Sequence, residues 1–410
     1  MKRLLIVADD LTGAADCAAG LRGQARCEVL LNIPAQLPQT PVLALDIDSR
    51  HRPMQAAADA HRHLLGNPAV ARLPLYKKID STLRGHYSAE IAALAPRGMA
   101  LVAPAYPALG RTTRKGIQHL DGVPVEHSET WRNEGLRGGS DICAALQAQG
   151  LRCALLDRET YARPNTLRQR IMQALAGKLD ALVCDAEADE DLDLLAAASA
   201  DLHERLYWVG SAGLAKALAR WIEPQSVEPC GQAQMPLLAV VGSMASHSHD
   251  QAERLAAISA AESVQFDPLW LLDPERADER AECSQALARL LADGRPVVVR
   301  LHQGQRPTQH ARQLSETLAS CLQPALQHAG TLIATGGETA RALLAQAGIE
   351  QLSLRGEPAP GLVHAEARVQ GRTLTVVTKA GAFGDPDALV ATWRYLTEVS
   401  APLPQECPHV

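Results

Sequence analysis

Short apolar runs recur along almost the whole chain, and Ala- and Leu-rich segments with helical spacing lie between them. The runs in the first half are Leu4–Ala8, Glu28–Leu31, Val42–Leu45, Leu75–Ile79, Ala100–Ala103, Ala154–Leu156, Ala181–Cys184 and Tyr207–Val209. Helical spacing is clearest in 88–94 and 142–149. Strands that are apolar without a break are buried on both faces, and helical crossovers between them imply a parallel sheet. From Trp221 to Pro236 the rhythm stops, and Glu223-Pro224, Glu228-Pro229-Cys230-Gly231 and Met235-Pro236 read as a linker. A second series follows with 237–241, 296–301, 331–335 and 373–378. At 410 residues the chain exceeds one ordinary core. The fold expected is α/β: two domains, 1–225 and 226–410, each with a mostly parallel sheet covered by helices, and a ligand cleft between them.

Composition narrows the function by exclusion. Forty basic residues stand against 46 acidic ones, a net charge of −6, and no Lys/Arg block reaches the density of a nucleic-acid footprint. The apolar start 4–8 is cut short by Asp9-Asp10, so neither a leader nor a membrane span is expected. The nine cysteines contain no C-x-x-C pair and read as free thiols of a reducing cytoplasm. A homo-oligomer is left open.

In parallel sheets, ligands bind beyond the C-terminal ends of the strands. In the first half those ends carry Asp9-Asp10-Leu11-Thr12-Gly13, then 46–50 with Asp46, Asp48 and Arg50, then Lys77-Lys78-Ile79-Asp80-Ser81-Thr82-Leu83-Arg84-Gly85, then 104–113. Singly, each has a plain structural reading. Thr12 and Asp80-Ser81 could cap helices, Arg50 and Arg84 could pair on the surface, and Arg111–Lys115 could be a solvated loop. Together they place carboxylates beside cations at neighbouring strand ends. Arg50, Lys78 and Arg84 suit a small carboxylate. Asp9, Asp10 and Asp80 suit hydroxyl groups, or Mg²⁺ through oxygen. Both signs in one pocket favour a polyhydroxy acid. Adjacent side chains of an extended segment point to opposite sides. Asp10 is therefore expected to face the sugar, and Asp9 to lie toward the sheet, holding Lys78, Arg50 or the Thr12-Gly13 turn.

The second half offers glycine-bearing turns instead: Gly242-Ser243, Gly336-Gly337-Glu338-Thr339 and Lys379-Ala380-Gly381. Three such strand-to-helix turns suggest backbone amides and helix N-termini offered to phosphates. Lys379 would add positive charge, and Gly381 is expected in a left-handed turn. No Walker A pattern, protein-kinase set or Rossmann fingerprint is present.

These stretches together resemble the four-carbon acid sugar kinase family. The matching pieces are ADDLTGAAD, KKIDSTLRG followed by AEI, APAYPALGRTT followed by GVP, then VGS, ATGGETA, GEPAPG and TKAGAFGD, spread in order from residue 8 to 385. GHYSAE, the Leu of ADDLTG and Ala382 depart from the usual pattern. The resemblance implies an N-terminal acid-sugar domain and a C-terminal ATP domain. It also implies phosphorylation of the terminal hydroxyl of D-threonate, or else of D-erythronate or a 3-oxo-tetronate. Carried over, the acid-sugar side falls on Asp10, Arg50, Lys78, Asp80, Ser81 and Arg84. The nucleotide side falls on Ser243, Gly336, Gly337, Glu338, Thr339 and Gly381. ATP and Mg²⁺ are the implied cofactors, with the metal's ligands unassigned.

Phosphoryl transfer needs positioning and charge neutralisation, and a carboxylate to accept the hydroxyl proton. Asp10 is the first choice and Asp385 the second. Two rivals differ in class. VLALDIDSR resembles the D-x-D opening of haloacid-dehalogenase-like phosphatases, with Asp46 as nucleophile and Asp48 as acid/base. A sugar-acid sensor would have the pocket without the transfer.

Overall fold

The computed structural model describes all residues except 35, 137, 163–165, 228–231, 244–245, 303–309, 382–383 and 399–410. The linker pieces at 228–231, and Ala382 of the departing glycine motif, therefore lie outside the described residues. The chain divides into two compact units, residues 1–228 with 350–354 and residues 229–349 with 355–410. Residues 350–354 thus pack with the first unit, although chain order alone puts them with the second.

In the first unit the sheet runs, in spatial order, from residues 351–353 through Cys27–Leu30, Val42–Asp46, Leu4–Ala8, Leu75–Lys78, Leu206–Gly210, Met99–Ala103 and Ala181–Cys184 to Cys153–Leu156. Every pairing is parallel except that of 351–353, which runs antiparallel to Cys27–Leu30. Helices cover both faces, which is why the central strands are buried along their length. With only two Phe in the chain, Leu5, Val7, Leu43, Leu45, Ile91, Val102, Val183 and Val209 build most of the core. Its buried aromatics are anchored by hydrogen bonds: Trp208 Nε1 donates to Ser199 Oγ (2.9 Å) and Tyr207 OH to the Ile91 carbonyl (3.2 Å).

Arg111–Lys115, read above as a solvated loop, is largely strand. Arg111–Arg114, Ile117–Leu120 and Val123–Pro124 form a small antiparallel sheet. Their polar sequence hides the pairing because much of this sheet faces water.

The second unit orders Glu262–Phe266, Val297–Leu301, Leu237–Val241, Thr331–Thr335 and Arg372–Lys379 as parallel neighbours. Leu362–Val369 and then residues 355–359 complete it, with Leu362–Val369 antiparallel to Arg372–Lys379. Leu237, Ala239, Val241, Ile333, Val377, Leu389 and Leu396 share its core. The charged stretch 273–282 enters the helix Ala277–Ala292 and exposes most of its polar residues. No helix among the described residues is long and apolar enough to cross a membrane.

Candidate functional site

Each unit gathers its polar residues at the C-terminal ends of its parallel strands. In the first unit, Leu4–Ala8 ends in Asp9 and Asp10, and Asp10 caps the helix Leu11–Ala19 by accepting from Gly13 N at 3.0 Å. Thr12 does not cap; its hydroxyl donates to Asp10 Oδ2 at 2.6 Å. Arg50 Nε and Nη2 donate to the two oxygens of Asp9 at 2.7 and 2.9 Å, and Nη2 also reaches Asp10 Oδ1 at 2.7 Å. Of the partners expected for Asp9, it holds Arg50. The Thr12-Gly13 turn, however, belongs to Asp10.

Burial alone would raise the pKa of Asp9, but Arg50, with Lys77 and Lys78 behind it, outweighs burial and holds the carboxyl at about 2. The fork of Arg50 is thus spent on two internal carboxylates. It organises the pocket rather than clamping a ligand carboxylate, as the sequence suggested.

Asp80 does not cap the helix Tyr87–Leu94, whose first residue follows His86. It accepts from Thr82 N (3.0 Å) and Thr82 Oγ1 (2.5 Å), and from Arg84 Nε and Nη2 at 3.0 and 2.7 Å. Burial opposes its ionisation, but Arg84, then Arg50 and Lys78, hold its pKa well below the usual carboxylate range. Arg84 Nη1 continues to Glu134 at 3.0 Å. Ser81 sits beside them, and its carbonyl accepts from Gln118 Nε2 at 2.7 Å.

Lys78 is the exception among these cations. It is 5% exposed, yet among the described residues its ammonium makes no hydrogen bond and no ion pair. A Cβ on Gly13 would meet Lys78 Nζ at 3.0 Å and Asp10 Oδ1 at 2.5 Å, so the ammonium and the carboxylate flank the same glycine. Gly85, at φ 83°, would carry a Cβ 3.0 Å from Asp9 Oδ2. These two approaches explain the glycines of ADDLTG and LRG. Backbone strain gathers here too, with Asp48 at φ 52° and Leu83 at φ 61°.

In the second unit, Gly336 stands at φ 90° ahead of the helix Gly337–Gln346 and donates its N–H to the Lys379 carbonyl at 2.8 Å. Among the described residues a Cβ there would meet nothing nearer than Thr339 Oγ1 at 3.9 Å; Glu338 and Thr339 sit in the first turn of the helix. The hydroxyl of Thr335, the preceding strand residue, is buried and has no hydrogen-bond partner among the described residues. A buried hydroxyl beside a helix N-terminus fits a phosphate-bearing ligand.

Gly381 would place a Cβ 3.5 Å from Ser243 Oγ, which brings the first and third glycine turns together. Its backbone is not left-handed, contrary to expectation; the positive φ in that stretch is at Gly384, 87°. Lys379 is fully buried and donates to the carbonyls of Ala380 (3.2 Å) and Gly381 (2.7 Å), while burial lowers its pKa to about 8. Its ammonium shapes the turn from beneath. Asp385 is exposed and accepts from Asp387 N at 2.8 Å.

The chain matches the family described as "Sugar-binding N-terminal domain" over residues 4–218 and that described as "Nucleotide-binding C-terminal domain" over residues 238–389. It belongs to the four-carbon acid sugar kinases. A D-threonate kinase of Cupriavidus necator is 42% identical over 97% of this chain and 99% of its own. One of Bordetella bronchiseptica is 34% identical, covering 96% and 97%. A D-erythronate kinase of Heliobacterium modesticaldum is 28% identical, covering 98% of each. A solved structure from Salmonella typhimurium LT2 has the same fold, with a TM-score of 0.80 at 20% identity, covering 96% of this chain and all of its own.

Membership in a kinase family leaves the phosphatase reading without support. The D-x-D pair itself is an Asx turn: Asp46 Oδ1 accepts from Asp48 N at 2.8 Å. Sequence reasoning missed Ser49, Lys77 and Glu90, which lie directly behind the pocket. The AEI triplet after KKIDSTLRG was the signal for Glu90.

Proposed function

We propose that this protein is an ATP-dependent kinase that phosphorylates the terminal, 4-hydroxyl group of a four-carbon acid sugar, D-threonate. The observation that carries the reading is Lys78. Its nearly buried ammonium makes no direct hydrogen bond or ion pair among the described residues and feels Asp9 and Asp80 only at longer range, so it is the cation left to take a ligand carboxylate. The carboxylates around it, Asp9, Asp10 and Asp80, are acceptors suited to hydroxyls. A ligand with one carboxylate and several hydroxyls meets both needs. The two relatives of higher identity are named D-threonate kinases, which favours that sugar over D-erythronate.

In this reading Lys78 holds the sugar carboxylate, Arg50 and Arg84 keep the carboxylates in place, and Asp80 and Ser81 meet hydroxyls. Asp10 is the least buried of the three carboxylates, and its Oδ2 is held by a hydroxyl that can rotate away. It is therefore the group that takes up the proton of the attacking hydroxyl. On the second unit, Ser243, Gly336, Gly337, Glu338, Thr339 and Gly381 surround the phosphates of ATP.

Among the described residues no three His, Cys, Asp or Glu side chains converge on a cation site, and Arg50 occupies Asp9 and Asp10. These carboxylates do not fit a metal cage, so Mg²⁺ would come with the triphosphate and would neutralise part of its charge. As a consumer of ATP, it would work in the cytoplasm.

An assay of ADP release with a panel of four-carbon acids tests this. D-threonate is expected to give the highest kcat/KM. Lys78→Met should raise its KM about ten- to a hundred-fold, as for loss of a charged contact. A preference for another acid, or an unchanged KM in Lys78→Met, would refute the assignment.

A further inference from the structure

One motif of the sequence, Ala89-Glu90-Ile91, has no task in either ligand site. The structure gives it one. Lys77 and Lys78 are neighbours on a strand and face opposite sides of the sheet. Lys78 faces the pocket, whereas Lys77 meets Glu90 of the helix Tyr87–Leu94, with Nζ and Oε2 2.8 Å apart. The other oxygen of Glu90 accepts from Ser49 Oγ at 2.5 Å. Ser49, His61 and Lys77 are fully buried and Glu90 is 1% exposed.

His61 Nε2 lies 3.9 Å from Glu90, and its Nδ1 is 2.8 Å from the Ala57 carbonyl. Burial, then the charge of Lys77, lowers the pKa of His61 to about 4. Near neutral pH, therefore, one cation and one anion share a dry site.

Stability is a poor reason for such a pair, since apolar replacements of similar volume are often as stable. Position is a better one. Ser49 stands between Asp48, with its left-handed backbone, and Arg50. The N–H groups of Ser49 and Arg50 both donate to the Asp9 carbonyl, at 2.9 and 3.2 Å. The Ser49 hydroxyl ties this turn to the layer behind, and Glu90 receives it. From that turn Arg50 reaches Asp9 and Asp10.

We infer that Glu90 is a positioning residue: through Ser49 it fixes Arg50, and through Arg50 it aims Asp10 at the acid sugar. The inference rests on the acid-sugar reading of the pocket.

A double-mutant cycle in the full chain tests it. Ser49→Ala removes the tie and leaves the Lys77–Glu90 pair intact. It should lower kcat/KM for D-threonate about tenfold, the scale of one hydrogen bond to a charged group, and lower Tm because a buried oxygen of Glu90 loses its donor, with ADP affinity unchanged. Arg50→Lys should lower kcat/KM further, because one ammonium cannot serve both carboxylates. If Ser49 acts through Arg50, adding Ser49→Ala to Arg50→Lys should cost nothing more.

The paired change Lys77→Met with Glu90→Leu removes both charges, keeps the core filled and should reproduce the Ser49→Ala loss in a folded protein. Losses that multiply across the cycle would overturn the inference. So would a silent Ser49→Ala beside a damaging Arg50→Lys, which would leave the pocket reading intact. A silent Arg50→Lys would overturn both.

Discussion

Asp10 does three things at once. It caps a helix, accepts from Thr12 and accepts from Arg50, and the proposed chemistry adds a fourth. Asn at this position keeps an acceptor for the cap, and Asn and Asp are about equal as N-caps. Asp10→Asn should therefore fold and melt like the parent chain while losing the base. Its kcat should fall by about 10²–10⁴, the range for loss of a general base, with a modest change in KM. Stopped-time assays at saturating D-threonate read this directly, and an undiminished kcat would move proton acceptance to Asp385.

At this scale the sequence was legible in kind but not in role. That Arg50, Lys78 and Arg84 cluster follows from the strand ends. Which of the three is left for a ligand depends on Asp9, Asp80 and Glu134 reaching the two arginines first, and those partners lie up to 50 residues away.

Among elements, the turn before the helix Gly337–Gln346 is the sharpest test. Gly336 needs its left-handed backbone, and among the described residues a Cβ there would have no neighbour nearer than 3.9 Å; Gly381 has no such backbone constraint. Gly336→Ala should cost about 1 kcal/mol of stability and also weaken ADP binding, because the new methyl would stand over the helix N-terminus. Gly381→Ala should melt within about 0.5 kcal/mol of the parent. Calorimetric titration of ADP with thermal melts distinguishes these outcomes; equal behaviour of the two variants would contradict the geometry of this turn.

A different constraint applies at Gly242, where a Cβ would stand 2.0 Å from Thr339 Oγ1. The sequence pointed to Ser243 next door. The glycine needed for close packing is recognisable only once the helix carrying Thr339 is in place. Strands were legible where both faces are buried, as in Leu4–Ala8. They were not where one side meets water, as in Glu262–Phe266 and Arg111–Arg114, whose exposed residues break the apolar run.

For the whole molecule, the alternation of apolar runs and helices was enough to expect two parallel α/β bodies. It could not show that residues 350–354 return to the first unit, because their partners at Cys27–Leu30 are paired across most of the chain. The division of labour proposed here gives each body one ligand, and the reaction is what unites them. Phosphorus-31 NMR of the product formed from ATP and D-threonate tests that claim most directly. An ester on the terminal CH₂ group couples to two protons, so a triplet is expected that grows only when both substrates are present. A doublet, from a secondary hydroxyl, or inorganic phosphate alone would contradict it.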